Sequence, residues 1–188
     1  MSQHVHRLSK QHRQALNHHF LQLGPEDRHL RFGTSIGDAG IESYVDSIDF
    51  TQSDVFAVFD DALQIVGAVH VACSDDEAEL GLSVLKEARG KGIGNSLFER
   101  ATVHLQNRFV RRVYMHCLRE NQAVIHIATK NGMLVALDGS EADARLELPS
   151  ASPGSVTAEW MASRLALLDY RQKVGAHSTR QMLDALTG

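Results

Sequence analysis

Residues 78–94 read AELGLSVLKEARGKGIG, an extended run that passes through a glycine-dense loop into a helical stripe. A strand joined to a helix through such a loop is a phosphate-binding arrangement. Without Cβ atoms at Gly90, Gly92 and Gly94, successive backbone N–H groups can turn toward one point, and the first turn of the helix adds its own unpaired N–H groups. Arg89 and Lys91 bring two cations to the same place. A P-loop would need Gly, four residues and Gly-Lys-Ser/Thr, which no window supplies. The dinucleotide fingerprint GxGxxG also fails, because position 95 is Asn and position 97 is Leu. Residues 89–94 fit Arg/Gln-x-x-Gly-x-Gly instead.

Outward from this loop, the chain alternates between strand and helix signals. Upstream, Leu16, Phe20 and Leu23 share one face of a helix that Gly24-Pro25 would stop. A second short helix is expected over 25–31, with proline in its first turn and Glu26 and Asp27 at its positive end, and a third over 39–48. Strands follow at 55–59, 65–72 and 79–85, separated by the turns Asp60-Asp61-Ala62 and Ser74-Asp75-Asp76-Glu77, which predicts an antiparallel meander. Ile93, Leu97, Ala101 and Leu105 recur every four residues on a helix over 92–109. Beyond it lie a strand at 113–118, a helix at 121–130, and strands at 133–137 and 144–148. The fold class expected is α/β, a mixed, mostly antiparallel central sheet with helices on both faces.

The chain of 188 residues is long enough to bury roughly 70 % of its unfolded surface, so one domain needs neither disulfide nor metal to fold. Nineteen Lys and Arg against 23 Asp and Glu give a net charge of −4, which argues against a nucleic-acid or anionic-membrane partner. No apolar run reaches the roughly 20 residues of a membrane span and the N-terminal stretch lacks the apolar core of a signal peptide, so a cytoplasmic protein is expected. Cys73 and Cys117 each fall within a strand, where small buried thiols rather than a disulfide are expected. His4, His6, His12, His18 and His19 lack the partners of a zinc site, so no metal is expected. Composition shifts near Pro149. Two segments are read: a domain over 1–149 and a helical extension over 150–188. On the extension, Trp160, Met161, Arg164, Leu165 and Leu168 form an amphipathic face that either covers the domain's own sheet or meets a second copy in a homodimer.

The loop at 89–94 resembles the pyrophosphate loop of the GNAT N-acetyltransferase superfamily, and the resemblance extends over residues 8–148. The preceding strand, ELGLSV at 79–84, is similar to that family's splayed central strand. Residues 121–133, NQAVIHIATKNGM, are similar to its second signature, an Asn-headed helix ending in Lys-x-Gly-aromatic, with Met133 at the aromatic position. Residues 23–32, LGPEDRHLRF, resemble the start of GNAT domains in bacterial protein acetyltransferases. The resemblance implies the GNAT-like acyl-CoA N-acyltransferase fold and acetyl-CoA as co-substrate. Its diphosphate would lie on Arg89, Gly90, Lys91, Gly92, Ile93, Gly94 and Asn95. The pantetheine arm, whose two amides are spaced rather like a dipeptide, would pair with the strand at Leu82, Ser83 and Val84 and meet Asn121 across the opening. Asn121 is equally a favoured helix N-cap, and the two roles are compatible.

Transfer to a primary amine, of a protein lysine or of a small molecule, needs a base, because an alkylammonium has a pKa of about 10. The resemblance implies Glu79, whose other reading is a solvent-facing residue at the end of a polar turn; His70 on the neighbouring strand is the second candidate. His116 and His126 stand near the same opening but are as readily structural. The family's second signature often carries a tyrosine that protonates the departing thiolate, and here that position is Ala128. Ser83, Tyr114, His126 or a water would have to replace it, or the coenzyme would leave as a thiolate, which is tolerable for a thiol of pKa near 8.5. Ala128 also leaves open a different class of function, a non-catalytic acyl-CoA-binding sensor or regulatory module.

Overall fold

Short apolar stripes decide where the helices lie. In the computed structural model, which describes residues 3–187, Leu16 and Phe20 of α1 (Arg13–Leu21) are buried together with Leu23 just beyond it. Helices α2 (Pro25–Phe32) and α3 (Asp38–Ser47) complete the same layer. The stripe Ile93, Leu97, Ala101 and Leu105 of α4 (Ile93–Asn107) is buried on the opposite face. Between the two layers runs a seven-stranded sheet: β1 (His6–Arg7), β2 (Asp54–Phe59), β3 (Ile65–Ser74), β4 (Glu77–Val84), β5 (Arg112–Leu118), β6 (Leu134–Asp138) and β7 (Glu141–Glu147). The order is β1-β2-β3-β4-β5-β7-β6, and every neighbouring pair is antiparallel except β4 and β5. Each face has its own core. Phe56, Leu80, Leu82, Leu97 and Phe98 centre one; Leu16, Phe20, Ile41, Val45 and Val55 centre the other. Helix α5 (Gln122–Lys130) packs on the α4 side.

The meander, the long helix and the strand–helix–strand succession agree with the sequence expectation, with ends displaced by one to three residues. Two strands depart from it. β1 has only two residues, too few for a periodic signal, and exists because β2 offers it a partner. β7 starts at Glu141, three residues early, since Ala142 and Asp143 have low strand propensity and are held by pairing to both β5 and β6. The thiols also differ from expectation. Cys73, near the end of β3, is exposed, and Cys117, near the end of β5, is half-buried; both are free.

Helix α6 (Pro153–Thr187) is 35 residues long and lies across α4 and β1. Glu159 fastens it, accepting from Arg100 Nη1 at 3.0 Å, His104 Nδ1 at 2.6 Å and Asn107 Nδ2 at 2.7 Å. His104 reaches on to Asp54 at 2.8 Å, and Arg7 pairs with the same carboxylate. Burial works against the Asp54 anion, but the hydrogen bond and charge of His104, joined by Arg7, hold its carboxyl down at about 2. Further along, Ala166 is buried and Lys173 Nζ donates to Phe59 O at 2.8 Å, while Tyr170 packs against His6 and Phe59. Trp160, Met161, Leu165 and Leu168 stay exposed on the flanks of this docking face. The outermost residues of the two segments read from sequence (1, 2 and 188) lie outside the described residues.

Glu159→Ala should remove one acceptor from three donors at once and destabilise the protein by about 2 kcal/mol. In a chain of this size that lowers the melting temperature by roughly 4–8 °C, measured by calorimetry.

Candidate functional site

Strands β4 and β5 are paired only over Glu77–Arg112, Ala78–Val113 and Glu79–Tyr114. Beyond that point β4 continues along β3 and β5 continues along β7, so the two part. Leu85 N–H donates to Val66 O on the β3 side, and by the alternation of an antiparallel ladder the main-chain groups of Leu80, Leu82 and Val84 face the gap. Arg89 Nε occupies Val84 O at 3.2 Å, leaving Leu82 as the open pairing position.

The glycine loop lies at the wide end of this gap. Gly90 and Gly92 adopt φ of +74° and +78°, left-handed values that a side chain would strain. Gly94 has a different role: a Cβ there would meet Ile127 Cδ1 at 2.6 Å, so its absence lets α4 and α5 approach. Ser96 N–H makes the first helical bond, to Gly92 O at 3.0 Å, and the amides of residues 90–95 have no acceptor among the described residues. Six unpaired N–H groups thus sit at the positive end of a 15-residue helix.

A cleft of about 380 Å³ follows this gap. Leu82, Ser83, Val84, Arg89, Gly90, Gly92, Ile93, Gly94, Asn95 and Asn121 all line it; Lys91 does not. Several of these side chains are already engaged. Arg89 pairs with Asp27 at 2.6 Å, so its charge is balanced inside the protein. Asn95 bridges Glu99 and Asn131. Asn121, 7 % exposed, caps α5 by accepting from Val124 N–H at 3.2 Å and holds α2 through Leu30 O at 3.2 Å. Lys130, which the sequence reading did not single out, supplies a cation on the α5 wall with no acidic partner among the described residues. A second cavity of about 250 Å³ adjoins the first, sharing Leu30, Arg31, Leu82, Asn121 and Val124, and has Glu79 on its wall.

The sequence model of the Acetyltransferase (GNAT) domain matches residues 7–134. The chain belongs to the GNAT acetyltransferase family. No curated protein sequence matches it significantly. Among solved structures it shares its fold with the GNAT domain of the S. lividans protein PAT, at 17% identity and a TM-score of 0.66, over 77% of this chain and 89% of that one. The spermidine N-acetyltransferase of Vibrio cholerae, solved with CoA and spermine, gives a TM-score of 0.61 at 16% identity, over 78% and 95%. A phosphinothricin acetyltransferase from Sinorhizobium meliloti, solved with AcCoA, gives 0.63 at 13%, over 82% and 95%. No helix among the described residues is long and apolar enough to cross a membrane, and none of their side-chain clusters is arranged to hold a metal ion.

The acid–base groups of the GNAT cleft divide into engaged and free. Glu79 is exposed at the apex where β4 and β5 part, on the same strand face as Gly81 and Ser83. His70 lines neither cavity. Its Nδ1 lies 2.8 Å from Tyr44 Oη, which itself accepts from Arg31 Nη2 at 2.9 Å. Nδ1 is thus taken by Tyr44 and Nε2 is buried without a partner, so neither ring nitrogen is presented to the cleft. Burial, then the Arg31 charge, pushes His70 down to about 4, a further reason that it makes a poor base.

Ser83 is similarly committed. His19 Nδ1 donates to Ile65 O at 2.8 Å, so its Nε2 accepts the Ser83 hydroxyl proton, also at 2.8 Å. A serine whose single proton is spent in this way cannot pass it to a thiolate. Burial, with only partial relief from the Ile65 bond, lowers His19 to about 4. Tyr114 Oη donates to Glu77 at 3.3 Å, and His116 pairs with Asp143 and Glu141. Ala128 is sealed in the core. Of the proton donors considered from the sequence, His126 alone stands exposed on the cleft wall without a partner among the described residues.

His19 and His70 are depressed from 6.5 to about 4 in the folded protein, so an unfolded chain binds protons that the fold refuses. Their full contribution is present above pH 6.5 and is lost as pH falls toward 4, each worth on the order of 3 kcal/mol. The melting temperature should drop by on the order of 10 °C across that window, and His19→Gln should flatten the dependence.

Proposed function

We propose that this GNAT domain transfers the acetyl group of acetyl-CoA directly to a primary amine, of a protein lysine or of a small molecule. The observation that carries the reading is the open edge of β4 running into six unpaired amides at the start of α4. The diphosphate would accept from the amides of Gly90, Lys91, Gly92, Ile93, Gly94 and Asn95, with Lys130 adding charge. Leu82 would pair with the pantetheine amides, and Ser83, Val84 and Asn121 would form the walls around them. Arg89 would contribute shape more than charge, since Asp27 balances it.

The acceptor nitrogen would approach from the second cavity, where Glu79 takes its proton directly or through water. The neutral amine attacks the thioester carbonyl carbon, a C–N bond forms, the nitrogen gives its second proton to water, and the C–S bond breaks with release of the CoA thiolate. His126 or water then supplies the thiol proton. A Leu82 N–H not used by pantetheine would stabilise the carbonyl oxygen as it gains charge. Residues 150–188 we assign to a helical extension outside the catalytic unit. The alternative of a non-catalytic acyl-CoA sensor draws on Ala128, which provides no proton donor on α5.

Acetyl-CoA at 100 times its Kd should stabilise the protein by about 2.7 kcal/mol, a rise of roughly 5–10 °C by thermal melting. Gly92→Asp would place a carboxylate among the phosphate-binding amides and should abolish that rise; a variant that keeps it rules out the loop assignment. Glu79→Gln should leave the rise intact and slow thiol release with an amine panel by about 10²-fold or more at pH 7. A sensor would show the rise without thiol release for any amine.

A further inference from the structure

We propose that Arg31 is an acceptor-binding residue, and that the amine receiving the acetyl group is a small molecule carrying a carboxylate that this guanidinium binds. The inference rests on the proposed transferase reading and narrows its substrate class. Arg31 is the one charged residue on the walls of both cavities among the described residues, and it therefore marks the point where the coenzyme cleft opens into the acceptor side. The remaining basic side chain on the acceptor side, His116, is engaged by Asp143 and Glu141. Arg31 has no carboxylate within ion-pair distance among the described residues.

A guanidinium has five N–H donors, and here only Nη2 has an acceptor, the Tyr44 hydroxyl at 2.9 Å. Nε is buried without any. The aromatic rings around it do not fill this need. Phe20, Phe32 and Tyr44 surround the cation with centroids 5.8, 5.0 and 5.7 Å away, contacts that use ring faces and leave Nη1 and the second hydrogen of Nη2 without an acceptor. Such a box fixes the plane of the fork, which favours a planar, bidentate partner such as carboxylate.

Gly81 shows that the strand makes room for this group. A Cβ at Gly81 would lie 2.3 Å from Arg31 Nη2, so the guanidinium rests directly on the β4 backbone. Glu79 is two residues away on the same strand face, a spacing of about 6–7 Å. One negative and one positive side chain thus stand side by side at the apex of the gap, complementary to an amino acid that directs its amine toward Glu79 and its carboxylate toward Arg31. A polyamine, by contrast, would bring positive charge against an unbalanced cation.

The test supplies the full chain and acetyl-CoA with the common L-amino acids, each beside its own carboxamide, and follows thiol release. In parallel, calorimetry with the CoA-loaded protein compares N-acetyl amino acids with N-acetyl amino acid amides. The carboxylate member of the preferred pair should be favoured by at least 10-fold in kcat/KM and in Kd. Arg31→Gln should bring both ratios close to one, the change in kcat/KM lying in KM, with an acetyl-CoA melting rise showing that the variant is folded. Gly81→Ala, which displaces the guanidinium but keeps its charge, should lower the ratios in the same direction. Equal use of acid and amide, a ratio that survives Arg31→Gln, or turnover confined to polyamines or lysine peptides would each overturn the proposal. Arg31-dependent binding of N-acetyl amino acids without thiol release would uphold the carboxylate site and sink the transferase reading.

Discussion

The divergence of two parallel strands is the constraint around which this protein is arranged. β4 and β5 each satisfy one edge elsewhere, β4 on β3 and β5 on β7, and their mutual pairing stops at Glu79 and Tyr114. Past that point, the gap-facing backbone groups of β4 have no strand partner, and only Val84 O is taken, by the Arg89 side chain. Unpaired main-chain groups that are not satisfied by water or ligand cost about 1–3 kcal/mol each, so such an opening is a demand for a ligand that itself hydrogen-bonds like a strand. The gap also sets where the helices go. α4 begins at its wide end and α5 leans against α4 at Gly94, which gives the cleft a floor of amides and an apolar wall.

Charge near the cleft is distributed with similar economy. Arg89 is balanced by Asp27, and Asn95 and Asn121 spend their amides on holding helices together, so much of what a sequence motif would assign to ligand binding is structural reinforcement of the binding surface. Two buried imidazoles extend that reinforcement across the sheet. His19 links α1 to β3 and β4, and His70 ends a chain that starts at Arg31 and passes through Tyr44. Burial holds both neutral near pH 7, and both brace β3 and β4 against the helical layer. On the other side of the sheet, the cluster of Asp54, His104, Arg100 and Glu159 does the same for α6. The cleft is thus braced from both layers by polar contacts that leave only a few groups free at its mouth.

The sequence by itself determined the elements and the location of the ligand loop. Alternation in β2 to β4, the four-residue stripe of α4 and the glycines at 90, 92 and 94 are local properties, and local backbone preference and burial periodicity are enough to read them. Tertiary structure decided what each side chain in the motif is free to do. Whether Arg89 meets a phosphate or Asp27, whether Ser83 can give up its proton, and whether His70 is presented to the cleft all depend on partners 26 to 64 residues away that no spacing rule connects. The same holds for Tyr44, which carried no motif signal, and for Arg31, which lay in the resemblance at 23–32 without an assigned role; both acquire their positions only when α2 and α3 fold over β4. A hydrogen bond uses up the donor or acceptor that makes it, and that accounting is done in space, after the chain has folded.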